Sequence, residues 1–216
     1  MATALKLVYN EKFIHTLVLA IQKHLPDFNK TAFSCDVFTD DWEELELKGR
    51  MHRISSCLQK HLPADYVSAL EILMPVSENF GSYEAMFFPD FVEQFGLAHW
   101  AHSIKALEHF TKFSSSEFAV RRFIIENPTR MMPQMGKWAS SECHHLRRLA
   151  SEGCRPRLPW AIALPEFKKD PAPVLPILEQ LKDDPSEYVR RSVANNLNDI
   201  AKDNPQIVRH IATSWI

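Results

Sequence analysis

The chain has 216 residues, room for one large domain or two small ones, and its 45% apolar content supports a sizeable core and excludes a disordered chain. Five glycines are too few for the turns of an all-β sandwich, whereas fourteen prolines at regular punctuation points suit short helices with abrupt ends. The net charge of −2 hides an asymmetry: residues 117–216 hold 15 Lys and Arg against 12 Asp and Glu, with ten of the twelve arginines, and residues 1–116 hold 10 against 15.

In chain order, Phe13, Leu17 and Ile21 lie four residues apart and stop before Pro26, which predicts a first helix. A second is expected from about Trp42 to Leu62, with Leu47, Met51, Ile54 and Leu58 on one face, and a third from Ala64 to Met74. The aromatic stretch Phe80–Phe95 reads as a loop and a short helix packing as core, and another helix runs through Trp100, Ile104, Leu107 and Phe110. His99, His102 and His109 lack a matched set of carboxylates or cysteines and read as surface or core histidines.

The second half repeats weakly. Val120-Arg121-Arg122, Leu146-Arg147-Arg148 and Val189-Arg190-Arg191 are each followed by an Asx–Pro step, at Asn127-Pro128, Asp170-Pro171 and Asn204-Pro205. Proline after an Asx cap starts a helix, so the unit is helix, sharp turn, helix. That predicts an all-α fold, a HEAT-like repeat α-solenoid. Residues 1–216 are expected to form a single domain, with 1–115 as N-terminal helices and 116–216 as the repeats bearing the site. Glu152–Lys169 reads as an insertion in the middle unit.

Cys35, Cys57, Cys143 and Cys154 form no Cys-x-x-Cys pair, so zinc ribbons and iron–sulfur clusters have no support, and no metal or cofactor is expected. The N-terminus lacks a signal-peptide core, and no stretch of 18 apolar residues occurs. A cytoplasmic protein with reduced thiols and no membrane partner is therefore expected.

Two helical stripes and a loop stand out as candidate chemistry. On the helix from Ser186 to about Lys202, Val189, Val193, Leu197 and Ile200 are assigned to the core. Arg191, Asn195, Asn198 and Asp199 are assigned to the opposite face, where they read as a ligand surface or as a buried polar network between repeats. His145, Arg148 and Glu152 fall on a second stripe, and Gly153 ends that helix. The loop Cys154-Arg155-Pro156-Arg157-Leu158-Pro159-Trp160 is stiff, basic and ends in an indole, suited to phosphates and to a sugar or base, or else to a surface connector with an anchoring Trp.

The runs Leu146–Gly153, Arg155–Trp160, Ser186–Asp199 and Glu117–Ile124 resemble the AlkC branch of the AlkC/AlkD family of DNA alkylation-repair glycosylases, well over residues 95–216 and more loosely before. The resemblance implies a concave DNA-binding face on the solenoid. It also implies excision of cationic alkylated bases such as 3-methyladenine from double-stranded DNA, without full flipping of the base. Catalytic carboxylates are implied at Asp199 and Glu152, with Glu117 as a third. Trp160 would pack on the sugar or base, and Arg148 and Arg155 would position phosphates or hold the carboxylates. Arg157, Arg191, Asn195 and His145 complete the expected DNA-binding set.

A cationic base leaves readily, so the chemistry needs a carboxylate to stabilise the sugar cation and activate water more than it needs a strong acid. No lysine lies between Lys137 and Lys168, which points to a monofunctional glycosylase without a Schiff-base step. Many such relatives continue into an immunoglobulin-like domain. The sequence stops at Ile216, so these 216 residues are expected to hold no such domain, the chain being either of a shorter kind or cut before it; a monomer without an obligate protein partner is expected. The rivals are a non-catalytic DNA-binding relative and a protein-binding HEAT scaffold.

Overall fold

The computed structural model describes residues 5–215, and among them every regular element is a helix. The chain divides into two compact units, Met1–Ser115 and Ser116–Ile216.

In the first unit, α1 (Glu11–Gln22) starts where the Asn10 side chain accepts from the Phe13 amide, and it buries Leu17 and Ile21 as the spacing predicts. α2 (Lys30–Val37), capped by Asn29, was not expected: it buries only Phe33 and Val37, too few apolar positions to display a period. α3 (Leu47–His61) starts five residues later than Trp42, because Trp42–Glu44 forms a separate 3-10 turn and Leu45 is extended. α4 (Tyr66–Ser77) runs past Met74 with Pro75 inside its last turn.

α5 (Phe87–Phe95) and α6 (Trp100–Thr111) complete this unit. The aromatic stretch packs as core: the rings of Phe80, Phe87, Phe88 and Phe110 stand 4.2–6.5 Å apart. Arg50 is buried, with its guanidinium 4.7 Å over the Trp42 ring and paired with Glu43 at 2.9 Å. The histidines are accounted for locally. His99 stacks on Tyr66 at 4.8 Å, His109 Nε2 lies 2.9 Å from the Met74 carbonyl, and His102 is exposed.

The second unit alternates α7 (Val120–Glu126), α8 (Pro128–Ala139), α9 (His144–Gly153), α10 (Pro165–Lys169), α11 (Leu175–Leu181), α12 (Glu187–Ala201) and α13 (Pro205–Ser214). Two of the three Asx–Pro steps start helices as expected: Asn127 caps α8, and Asn204-Pro205 opens α13. Asp170-Pro171 does not. Asp170 accepts from the Ala172 amide in a local turn, and α11 begins only at Leu175.

α9 and α12 lie side by side in the same direction. Arg148 meets Tyr188, Glu152 meets Ser192 and, just past the end of α9, Arg155 meets Asp199, in rising order along both. In two of the three Arg-Arg pairs the first arginine grips the turn that enters its own helix. Arg147 donates to the carbonyls of Ser141 and Glu142, and Arg190 to those of Asp184 and Pro185. Arg147 also forks onto the buried Asp184 at 2.6 and 3.0 Å, tying one repeat to the next. Gly153 is required by close approach: a Cβ there would stand 2.6 Å from Val120 Cγ2.

Candidate active site

The second unit assembles five charged side chains in alternating order: Glu117, Arg148, Glu152, Arg155 and Asp199. Arg148 Nη1 bonds Glu117 Oε2, and its Nη2 lies 3.4 Å from Glu152 Oε1. Arg155 Nη1 donates to the same Glu152 oxygen at 2.6 Å and its Nε to Asp199 Oδ2 at 2.9 Å. Three carboxylates thus share two guanidinium groups. The inner members are buried: Glu152 is 4% exposed, Asp199 3% and Arg155 9%.

The sequence explains why these groups converge. Glu152 and Arg155 are one helical turn apart at the end of α9, and Asp199 sits on the face of α12 that packs on α9. Glu117 stands just before α7, next to the α9 residue Arg148. Burial disfavours charge on both arginines, but Asp199 and Glu152 around Arg155, and Glu117 and Glu152 around Arg148, outweigh it and raise both above the ordinary arginine value. Both remain cations at any working pH.

The carboxylates differ in how fully they are engaged. Glu152 uses both oxygens, Oε1 toward Arg155 and Arg148 and Oε2 as acceptor from Ser192 Oγ at 2.6 Å. Asp199 commits Oδ2 to Arg155, and its Oδ1 has only Lys202 at 3.4 Å.

One expected stripe is corrected. Asp199 does not share a face with Arg191 and Asn195. It lies with Val189, Ser192, Val193, Asn196 and Ile200 on the buried side of α12. Arg191 is exposed and pairs with Glu187 at 2.7 Å, Asn195 is half-buried and Asn198 exposed. Polar residues were assigned to the outer face by default, and the ionic seam inverted the assignment. Ser192 and Asn196 were missed for that reason. Asn196 Nδ2 donates to the Ser151 carbonyl at 2.7 Å and lies 3.5 Å from Cys154 Sγ, a buried thiol whose pKa burial pushes up to about 12.

The other stripe holds. His145 and Arg148 share a face of α9, and Tyr188 of α12 covers them, 5.0 Å from the Arg148 guanidinium and 6.2 Å from the His145 ring. Burial, then His144 and Arg148, lowers the His145 pKa. Tyr188 has no role assigned from sequence, because its contact with Arg148 is made across two helices and leaves no spacing to read.

The loop after α9 separates its arginines. Arg155 turns inward, whereas Arg157 forks onto Asp203 at 3.0 and 2.7 Å on the surface. Trp160 is 68% exposed and has φ of 64°. It occupies the third position of a turn in which the Ala161 amide bonds the Leu158 carbonyl, after Pro159. Proline second and a positive φ third mark a type II turn, where glycine is the usual occupant. Among the described residues no cluster of three or more His, Cys, Asp or Glu is placed to hold a metal, and no helix is long and apolar enough to cross a membrane.

A helical-repeat protein with a buried carboxylate–guanidinium chain and an exposed indole beside it is the class that fold and site define. Residues 97–212, more than half the chain, match the family model described as DNA alkylation repair enzyme. The chain belongs to that family. It is 51% identical over 211 residues to the uncharacterized protein YhaZ of Bacillus subtilis (strain 168), covering 98% of this chain and 59% of that protein. It is also similar to the solved Pseudomonas fluorescens alkylpurine DNA glycosylase AlkC bound to DNA containing an abasic site analog, with 37% identity and a TM-score of 0.95 over 100% of this chain and 60% of that one. The chain thus spans roughly three fifths of the length of both relatives.

Proposed function

We propose that the chain is a DNA glycosylase of base excision repair, hydrolysing the N-glycosidic bond of cationic alkylated bases such as 3-methyladenine in duplex DNA. The observation that carries this reading is Asp199, a buried carboxylate oriented through one oxygen by Arg155, with its second oxygen held only by the long Lys202 contact. Family membership and the DNA-bound AlkC relative support the substrate class.

In this reading the C1′–N bond breaks, and its electron pair leaves with the base, which departs neutral. Asp199 faces the cationic sugar that develops and takes a proton from the water whose oxygen attacks C1′. Glu152, with both oxygens engaged, acts as the tie that spaces Arg148 from Arg155 rather than as a base. Glu117 is the third carboxylate, at the far end of the chain from Asp199, and Trp160 lays its ring on the sugar or the cationic base. Duplex phosphates fall to the exposed basic residues of the second unit, Arg191 included. The enzyme is read as monofunctional: no lysine lies between Lys137 and Lys168, and the nearby Lys202 is paired as a cation with Asp199 at 3.4 Å.

The test is release of free 3-methyladenine from methylated duplex. Wild type is expected to release it, and Asp199→Asn to lose about 10²–10³-fold in rate while keeping duplex binding. Salt-sensitive duplex binding without release would identify a non-catalytic relative, and neither activity would leave the scaffold reading.

A further inference from the structure

Arg121, on α7, is fully buried, yet none of its hydrogen-bond partners is a carboxylate. Its Nη1 donates to the carbonyls of Gly153 at 3.1 Å and Arg155 at 2.7 Å, and its Nε to that of Ile162 at 2.5 Å. Nη2 is buried with no hydrogen-bond partner. Placing a cation there is unfavourable: burial lowers its pKa to about 10, which still leaves it charged at neutral pH. A neutral residue would fill the space at less desolvation, so the guanidinium needs a reason.

The three carbonyls supply one. Gly153 and Arg155 lie at the start of the loop after α9, and Ile162 lies at its end. One planar group therefore closes both stems of the segment that carries Arg155, Arg157 and Trp160. Trp160 sits two residues before the Ile162 anchor in the left-handed backbone region, which is costly for a bulky side chain and persists only where its surroundings over-determine it. The Leu164 amide bonded to the Pro156 carbonyl at 3.1 Å is the second tie across the same segment. Only arginine, with several donors in a fixed fork, can reach all three carbonyls at once.

We propose that Arg121 is a positioning residue for the glycosylase reaction: it clamps the 153–162 loop so that Trp160 is presented in its strained conformation and Arg155 stays on the carboxylates. The inference rests on the proposed activity for its consequence in catalysis, though the clamp itself is open to measurement without it.

The variant is Arg121→Lys, which keeps the charge and loses the fork. Limited trypsinolysis, read by mass, is expected to cut after Arg157 about tenfold faster or more than in wild type. Cleavage after Lys105 in the other unit should keep its rate. Equal acceleration at both sites, or at neither, overturns the clamp. Base release is expected to fall in Arg121→Lys and to change by less than about twofold when the same substitution is added to Trp160→Ala, since the two residues act as one unit. A full, multiplicative loss in that background overturns the link to Trp160. Should Arg121→Lys not fold, amide exchange in wild type decides. The Leu164 amide should exchange as slowly as those in the middle of α9, and exchange as fast as in α10 would overturn the clamp. If wild type releases no base, the glycosylase reading fails, and the clamp is judged by cleavage and exchange alone.

Discussion

The two units hold their helices together by different means. In the first, α5 packs through Phe87, Phe88 and Phe91, all buried, and the adjoining rings of Phe80 and Phe110 extend the same apolar cluster. In the second, the facing sides of α9 and α12 carry, beside apolar residues such as Leu149, Val189 and Val193, the buried polar side chains Ser151, Glu152, Ser192, Asn196 and Asp199. Both seams exclude water. Only the first gains from doing so, because moving charges out of water is unfavourable unless the pairing is very good. A polar seam in a protein able to build aromatic ones is therefore a sign of chemistry.

The largest expected effects separate the seams by what truncation does. Phe87→Ala should cost about 3–5 kcal/mol of stability in urea denaturation, with base release per folded molecule unchanged. Glu152→Ala should cost a similar ~3–5 kcal/mol, because Arg148 and Arg155 lose a shared buried partner, and should also abolish base release. A small stability loss in Glu152→Ala would mean that the seam is wet.

The comparison sharpens with Glu152→Met, Arg155→Leu and Asp199→Leu combined. This variant should be as stable as wild type, or more stable by about 1–4 kcal/mol, and inactive. Its failure to fold would show that the ions hold the seam together after all.

Acid gives a smaller effect. Burial works against charge on Asp184, but the Arg147 fork and the Ser186 amide outweigh it and hold its pKa below the ordinary aspartate value. Its stability contribution is complete above the unfolded value of about 3.9 and lost as pH falls through the lower folded value. Asp184→Asn should therefore lose stability at neutral pH and flatten the acid limb below about pH 4, its deficit from wild type closing as the pH falls. The smallest effect belongs to Arg157→Ala, whose solvent-screened surface pair with Asp203 should leave the thermal melt almost unmoved.

Helices with a long apolar period, α1, α3 and α6, are legible in the sequence because each buries one stripe, and α9 is legible through its polar stripe and Gly153. α2 was not, having two buried residues, and α11 started late because Asp170-Pro171 makes a turn that looks locally like a helix start. At the site, the three carboxylates and Arg148, Arg155 and Trp160 were all named from sequence. What failed was the face of α12. Period reading sorts apolar from polar, and here Ser192, Asn196 and Asp199 point inward with Val189 and Val193. Arg121 was visible only as half of an Arg-Arg pair, since main-chain carbonyl partners leave no mark in sequence.

Cys154 has a consequence for survival in the milieu such an enzyme would work in. Reagents that methylate bases also attack sulfur, and the thiolate is the form they attack. The Cys154 thiol sits within 3.5 Å of Asn196 in the polar seam, fully enclosed, and gives up its proton only near pH 12. Cys35, by contrast, is exposed. A methylating dose would consume the surface sulfur first and spare the one whose alkylation would wedge α9 from α12, so the seam would stay closed while the exposed thiol reacts.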